Sequence, residues 1–411
     1  HNHIDKATID KVDAVIKNKD FHPKKPEFIS FDKYIDEGGY ALFKKIKSNE
    51  VTFEELSEVI GSSNLRGLGG AGFPAAKKWE FVRANKGPRM MCINGDEGEV
   101  GTFKDKYYLD NDPHRFLEGT LIAAHMVSAD KCFIYMRDEY PGIIKNLREE
   151  VDKLVSKGLI NKDLIEIRRG AGAYICGEES ALIESVEGKR GIPRHRPPYV
   201  AQNGVFGLPT LVHNVETVFW IREIYEKGAD WFLSFGRNNR TGLRSFSVSG
   251  FVNNPGVKLA PAGITVKELI EEYCGGMLEG HKLKAYLPGG ASGGILPSSL
   301  SNIPLDFDTL QEHGCFIGSA AVIIISDKVP MKDVAINLMK FFEDESCGQC
   351  TPCRNGTSMA VKLMDENSWD LKLLTDVGNV MTDASICGLG QAAANPLFSV
   401  IKHFADDIKS I

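Results

Sequence analysis

Four cysteines near the C-terminus have the type and spacing to hold a redox metal centre. Cys347, Cys350 and Cys353 stand in the run Cys-Gly-Gln-Cys-Thr-Pro-Cys, and Cys387 stands apart in Ser-Ile-Cys-Gly-Leu-Gly. Three thiolates at two-residue intervals can cover one corner of a cubane, and a remote fourth closes it, which is the ligand pattern of a [4Fe–4S] cluster. Zinc sites more often use two separated Cys-x₂-Cys pairs or mix cysteine with histidine. No histidine lies close behind Cys353. The spacing therefore favours iron–sulfur over zinc, and with it one-electron transfer.

Three further segments have the composition of a site for a phosphate-bearing cofactor. The first is Arg66-Gly-Leu-Gly-Gly-Ala-Gly-Phe73-Pro74, followed by Lys77, Lys78 and Trp79. It satisfies G-x-G-x-x-G, a weak string alone. A dinucleotide fingerprint should leave a strand, whereas Phe53–Ile60 ahead of it reads as helix, and no Gly-Lys-Ser/Thr follows to make a Walker loop. Its glycines let backbone approach a phosphate or ring closely. Pro74 opening a helix, with two lysines behind it, supplies dipole and charge for an anion. The second segment, Asn94-Gly-Asp96-Glu97-Gly-Glu99, follows an apolar run at Met90–Ile93. A strand emptying into polar residues is where open α/β sheets bind ligands, and the acids can accept from ribityl hydroxyls or a carboxamide. The third, Arg169–Ser180, repeats strand, glycine-rich turn and helix, with Glu178 and Glu179 in a first helical turn where carboxylates are favoured, as caps or as ligands. Downstream, Pro193–Tyr199 is a stiff basic loop ending in an aromatic that can stack on an adenine or nicotinamide.

The elements that must hold these residues follow from pattern. The chain of 411 residues has room for two or three domains. Arg89–Ile93, Lys131–Met136 and Leu164–Arg168 read as strands, with helices at Gly142–Lys157 and Glu178–Glu187. Such alternation over 51–238 predicts a mostly parallel sheet covered on both faces. Segments at Ser245–Ser249, Ile264–Ile270 and Ala320–Ser326 predict a small α+β module over 239–329. Beyond 330, apolar residues at helical spacing (Val334, Leu338, Phe341; Val361, Met364; Leu374, Val377, Val380; Val400, Phe404) predict four helices whose ends carry the cysteines. Residues 1–50, rich in lysine and aspartate, read as a surface extension.

Composition narrows the functions. A net charge of −6 gives no basic face for nucleic acid. No apolar run reaches the length of a bilayer span, so no direct membrane insertion is expected. Of nine cysteines, the five outside the cluster motif are scattered and odd in number, which reads as buried free thiols in a reducing cytoplasm.

In this order, and joined to the cysteine motif, these segments resemble the NADH-oxidising flavoprotein subunits of respiratory complex I and their soluble relatives, the diaphorase subunits of NAD-linked hydrogenases and formate dehydrogenases. The resemblance covers about residues 55–411. It implies a Rossmann-like α/β domain for FMN, a ubiquitin-like (β-grasp, SLBB) domain, and an all-α four-helix [4Fe–4S] domain. It further implies FMN contacts at Gly67, Gly69, Lys78, Asn94, Asp96, Glu97, Tyr174, Gly177, Glu178, Asn214 and Thr217. For NAD(H) it implies Phe73, Phe81, Glu99, Glu179 and Tyr199, with Glu99 and Glu179 as the acids beside the nicotinamide, and for the cluster Cys347, Cys350, Cys353 and Cys387. The chain departs from complex I at Gly95, Val100, Tyr199 and His213, and His213 is left out of the site for that reason. Arg137–Pro141, Asn94–Asp96 and Asp112–Phe116 look more like the formate dehydrogenase branch. The implied activity is hydride transfer between NAD(H) and FMN, then single-electron steps through the cluster. The implied partners are a thioredoxin-like [2Fe–2S] subunit and a catalytic subunit.

Overall fold

The computed structural model describes residue 4 and residues 7–408. It opens with helices α1 (Ile9–Asn18), α2 (Phe31–Asp36), α3 (Ala41–Lys47), α4 (Phe53–Ser62) and α5 (Ala75–Arg83). Then come β1 (Arg89–Gly95), α6 (Lys104–Asn111), α7 (Pro113–Met126), β2 (Ala129–Met136), α8 (Pro141–Ser156), β3 (Ile165–Arg169), α9 (Glu179–Val186), β4 (Thr210–Asn214) and α10 (Val215–Phe219). Parallel strands need crossovers, and the helices between them supply these. The sheet is parallel throughout, in the order β3-β2-β1-β4. Successive strand residues face opposite sides: Met91, Ile93, Cys132 and Ile134 enter one core, while Cys92, Phe133, Tyr135 and Val212 enter another. Burial on both faces explains why the strands read as unbroken apolar runs. The chain steps outward from β1 to β3 and returns on the far side of β1, so the order reverses between β1 and β4.

Residues 31–47 correct the expectation of a surface extension. Phe31, Tyr34, Tyr40, Leu42, Phe43 and Ile46 are buried in the main core. They sit on α7, whose buried Glu118 accepts hydrogen bonds from the Tyr34 hydroxyl at 2.6 Å, the Tyr40 amide at 2.9 Å and the Phe43 amide at 3.3 Å. The many lysines obscure a short aromatic and aliphatic set at helical spacing. Only α1 answers to the expectation, with no buried residue.

Helices α11 (Ile221–Lys227) and α12 (Ala229–Leu233) lead to the second unit: β5 (Leu243–Gly250), β6 (Gly256–Pro261), α13 (Val266–Glu268), β7 (Leu283–Leu287), β8 (Leu296–Pro297) and β9 (Ala321–Ser326). Its mixed sheet runs β6-β5-β9-β7-β8. The third unit contains α14 (Met331–Glu345), α15 (Thr351–Met364), α16 (Leu371–Ala384), α17 (Gly388–Ala392), α18 (Asn395–His403) and α19 (Ala405–Ile408). Four long helices are present as the periodicity requires, and Leu338, Phe342, Met364, Leu374, Met381 and Val400 form their core. Val380, counted in that stripe, faces outward. All nine cysteines are free, and the five outside the cluster motif are buried. Among the described residues no helix is long and apolar enough to cross a membrane.

Candidate functional site

The glycine-bearing segments meet at the reversal of strand order, where open α/β sheets place their ligands. Asn94 and Asn214 are register partners at the ends of β1 and β4. The Asn94 amide donates to the Gly177 carbonyl at 2.8 Å, and its Oδ1 accepts from the Asp96 amide at 3.1 Å, tying the second segment to the third. The first segment closes on itself through Gly67 N–H to the Phe73 carbonyl at 2.8 Å. Leu68 N–H donates to Thr217 Oγ1 at 2.9 Å. Gly69 lies against Asn214 so closely that a Cβ there would stand 3.0 Å from that of Asn214.

Asp96 is the group in this cleft with the least satisfied chemistry. It is 2 % exposed, and its Oδ2 has no hydrogen-bond partner. Burial pushes its pKa up to about 8, with Glu139 and Glu345 adding to the rise and Arg137 opposing it. Such an oxygen calls for a donor from outside the chain, and a small cavity lined by Asp96, Gly98, Arg137, Glu139, Gly172, Ala173, Tyr174 and Glu345 opens beside it. Hydroxyls of a ribityl chain fit that need.

The sign of the pH effect follows. The Asp96 carboxyl ionises near 3.8 when unfolded and near 8 when folded without ligand. Between those values the native state holds the extra proton, so raising pH through the window removes stability. The ligand-free protein is therefore expected to melt at a lower temperature at pH 9 than at pH 6, and Asp96→Asn should flatten that slope. A slope unchanged in the variant would show that other groups carry it.

Several expected site residues are engaged by the fold itself. Glu97 accepts from the Asp105 amide at 2.6 Å, the Lys106 amide at 3.0 Å and the Tyr140 hydroxyl at 3.0 Å, which caps α6. Glu178 is the N-cap of α9: its Oε2 accepts from the Ser180 and Ala181 amides, each at 3.0 Å, and Arg196 pairs with Oε1. Asn214 caps α10 by accepting from the Glu216 amide at 3.0 Å. Beneath it lies a charge cluster that the sequence does not disclose. Lys104, 1 % exposed, pairs with Asp105 at 2.8 Å and with Glu216 at 2.9 Å. The adjacent lysine and aspartate read as ordinary surface residues, and Glu216 arrives from a distant helix.

The remaining residues face the cleft or its rim. Lys78 donates to the Val212 carbonyl at 3.1 Å, and burial lowers its pKa while the nearby Glu179 carboxylate opposes that. Glu179 also lies 3.4 Å from Arg196. The Tyr174 hydroxyl donates to Glu99, which also accepts from Ser292 of the second unit. Burial raises the Glu99 pKa, and these donors hold it back. Phe73, Phe81 and Tyr199 are 41, 53 and 56 % exposed. The two phenylalanine rings lie 5.9 Å apart, and Asn85 ties the end of α5 to Ala201, behind Tyr199. The exposed Phe73 and Phe81 rings offer apolar faces to a planar ligand. His213 turns away from the cleft: its Nε2 accepts from the Trp79 indole at 2.8 Å, and burial pushes its pKa down to about 3.

The four cysteines converge on the near ends of the helical unit. Cys350 is the N-cap of α15, Cys353 lies in its first turn, and Cys387 is the N-cap of α17. The Leu389 and Gly390 amides donate to the Cys387 sulfur. Helix N-termini and amides offset negative charge on thiolates. Burial pushes the Cys353 thiol up to about 11, and Cys347, Cys350 and Cys387 lie near enough to add to the rise. Mutual repulsion of that kind is relieved by metal. Among the described residues, no three His, Cys, Asp or Glu side chains are gathered tightly enough to share one metal ion.

A separate groove of about 500 Å³ is lined by Glu187, Lys189, Arg194, Asn203, Phe206 and Gly207. Its cations are already paired, Lys189 and Arg194 each with Glu184 and Glu187, so it offers no free convergent charge.

Three family descriptions match successive parts of the chain. Residues 60–223 match the Nuo51 FMN-binding domain, residues 245–296 an SLBB domain, and residues 333–411 the NADH-ubiquinone oxidoreductase-F iron-sulfur binding region. The chain is 39 % identical to an F subunit of NADH-quinone oxidoreductase (F 2) of Rhizobium meliloti, across 89 % of this chain and 90 % of that one. It is 41 % identical to the F subunit of the NADH-quinone oxidoreductase of Rickettsia typhi, across 86 and 88 %. A chain in the crystal structure of an NAD+-reducing [NiFe]-hydrogenase in the H2-reduced state superposes with a TM-score of 0.86 and 32 % identity, over 98 % of this chain and 73 % of that one.

Proposed function

The chain belongs to the family of NADH-quinone oxidoreductase F subunits, which are NADH-binding FMN and [4Fe–4S] oxidoreductase subunits, and from that membership we propose that it is the diaphorase subunit of a larger, cytoplasmic electron-transfer complex. We read its parallel sheet as a Rossmann-like half and its second sheet as a β-grasp module. When bound, FMN supplies the exchange between a two-electron hydride from nicotinamide C4 and the single electrons an iron–sulfur cluster can carry. The protein's part is to place the reactants and set the charge around them. The observation that carries this reading is the orphaned, buried Asp96 at the strand reversal, on a scaffold whose third unit gathers four cysteines.

The 66–74 loop and Asn94 shape the flavin cleft, and Asp96 accepts from the cofactor's polyol. Glu97, Glu178, Asn214 and Thr217 act on that cleft mainly by fixing the backbone around it. Lys78 supplies positive charge at the cleft, balanced by Glu179. Phe73, Phe81 and Tyr199 form the face on which the adenine stacks, and Glu99 and Glu179 orient the nicotinamide end. Arg194 is held by Glu184 and Glu187, and Arg196 by Glu178 and Glu179, so neither is free for a 2′-phosphate. That supports NADH over NADPH. Cys347, Cys350, Cys353 and Cys387 hold the cluster.

For the distal partner we propose a formate-oxidising subunit, joined through a thioredoxin-like [2Fe–2S] subunit, on the strength of the Arg137–Pro141 and Asp112–Phe116 segments. The kinship with quinone- and hydrogenase-linked proteins favours a second reading, the equivalent subunit of such a complex. Purification with bound partners, mass spectrometry of them, and assay of NAD+ reduction by formate and by hydrogen separates the two. Formate-dependent reduction is the expected result. Turnover with hydrogen or quinone but none with formate would transfer the chain to the second reading.

A further inference from the structure

Hydrogen bonds converge on Glu99 from two distant segments. The Tyr174 hydroxyl donates to Oε2; the Ser292 amide donates to Oε1 at 2.9 Å, and the Ser292 hydroxyl to Oε2 at 3.0 Å. The Ala291 amide faces the same carboxylate. Ser292 is itself 7 % exposed and sits on a single 3₁₀ turn, Ala291–Gly293, flanked by Gly290 and Gly294 at φ 80° and 77°. A Cβ on Gly290 would lie 2.5 Å from Glu99 Cγ, so the turn can seat on Glu99 only with glycine there. Its other side is fixed by two bonds. Asn395, at the start of α18 in the cluster-bearing unit, donates to the Ser292 carbonyl at 2.9 Å, and the Gly290 amide donates to the Ala321 carbonyl at 2.8 Å.

We propose that Ser292 is a positioning residue, which holds the Glu99 carboxylate in the orientation in which it meets the carboxamide of the nicotinamide. The inference rests on the placement of Glu99 at the NAD(H) side. A glutamate left to itself rotates about its terminal bonds, and freezing it at the moment of binding costs affinity. Donors on both oxygens remove that cost in advance, and the turn that carries two of them is anchored by β9 of its own unit and by Asn395 of the third. Nucleotide affinity in the first unit is thereby set by a hydroxyl in the second.

The test uses the holoprotein with its flavin and cluster, and reads NAD+ affinity by titration alongside NADH oxidation with ferricyanide. Ser292→Ala keeps the amide and removes the hydroxyl. It is expected to weaken NAD+ binding and raise KM for NADH about five- to tenfold, a part of one charge-assisted hydrogen bond, with kcat and flavin content unchanged. Ser292→Thr should restore both constants. Because Ser292 acts through Glu99, the Glu99→Gln, Ser292→Ala pair should be no weaker than Glu99→Gln alone. Wild-type affinity in Ser292→Ala, or additive losses in the pair, overturns the proposal. If Ser292→Ala does not fold, Ser292→Thr decides: near-wild-type affinity supports the hydroxyl's role, and a loss of affinity with flavin intact overturns it. Failure of the underlying reading is distinct, since the unaltered protein would then neither bind NAD+ nor lose flavin colour with NADH.

Discussion

Cys350→Ser is expected to abolish the paramagnetic signal of the reduced cluster while NADH still bleaches the flavin. Cys350 is the N-cap of α15, and serine is among the best residues at that position, so the substitution removes a soft sulfur ligand without unsettling the helix. Asp96, Gly69 and Lys78 of the flavin cleft belong to the first unit; the cluster-bearing unit contributes Glu345, which accepts from the Tyr174 amide at 2.8 Å and is left unaltered by the substitution. Electron spin resonance after anaerobic reduction, together with the visible spectrum, reads both centres in one sample. A full-strength cluster signal in the variant would remove Cys350 from the ligand set. Loss of both signals would mean that the two units are not separable in this way.

Lys104→Met is expected to give the largest loss of stability. The lysine is 1 % exposed and lies between Asp105 and Glu216, which are 3 and 0 % exposed. Removing one member of a buried ionic group leaves its partners uncompensated, at a cost of roughly 3–5 kcal/mol. Here two acids would face each other with no cation between them. For a unit of this size the loss corresponds to about 10 °C in melting temperature. Asn214 accepts from Lys104 at 3.3 Å and donates to Asp105, so flavin retention should fall with stability. Thermal melting with flavin fluorescence as a second probe checks both. A melting temperature within about 2 °C of wild type would show that the cluster contributes little, since that is less than one kcal/mol for a unit of this size.

How much of this is legible in the sequence depends on the range of the interactions. Strands β1, β2 and β3 and helices α8 and α9 are readable because their signals are local: apolar runs, helical spacing and a stopping glycine. The cysteine set is readable for the same reason, since three of its members lie within seven residues. The second segment is readable as a strand end, but the use made of Glu97 is not. It reaches forward to cap α6, a contact decided by tertiary packing. Ser292 carries no local sign at all, because its partners Glu99 and Asn395 come from opposite ends of the chain. Residues 31–47 mislead because their apolar set is short and surrounded by lysine. Helical spacing of Phe31 and Tyr34, and of Leu42, Phe43 and Ile46, is the signal available.

The central claim, that one polypeptide passes electrons from NADH through a flavin to a four-cysteine cluster, is tested most directly by anaerobic titration of the purified, flavin- and iron-loaded protein with NADH. The predicted result is loss of flavin absorbance followed by a paramagnetic iron–sulfur signal in the same sample, with iron and acid-labile sulfide present by analysis. Bleached flavin with no iron or sulfide in the chain, or a cluster that stays oxidised once the flavin is reduced, would contradict it.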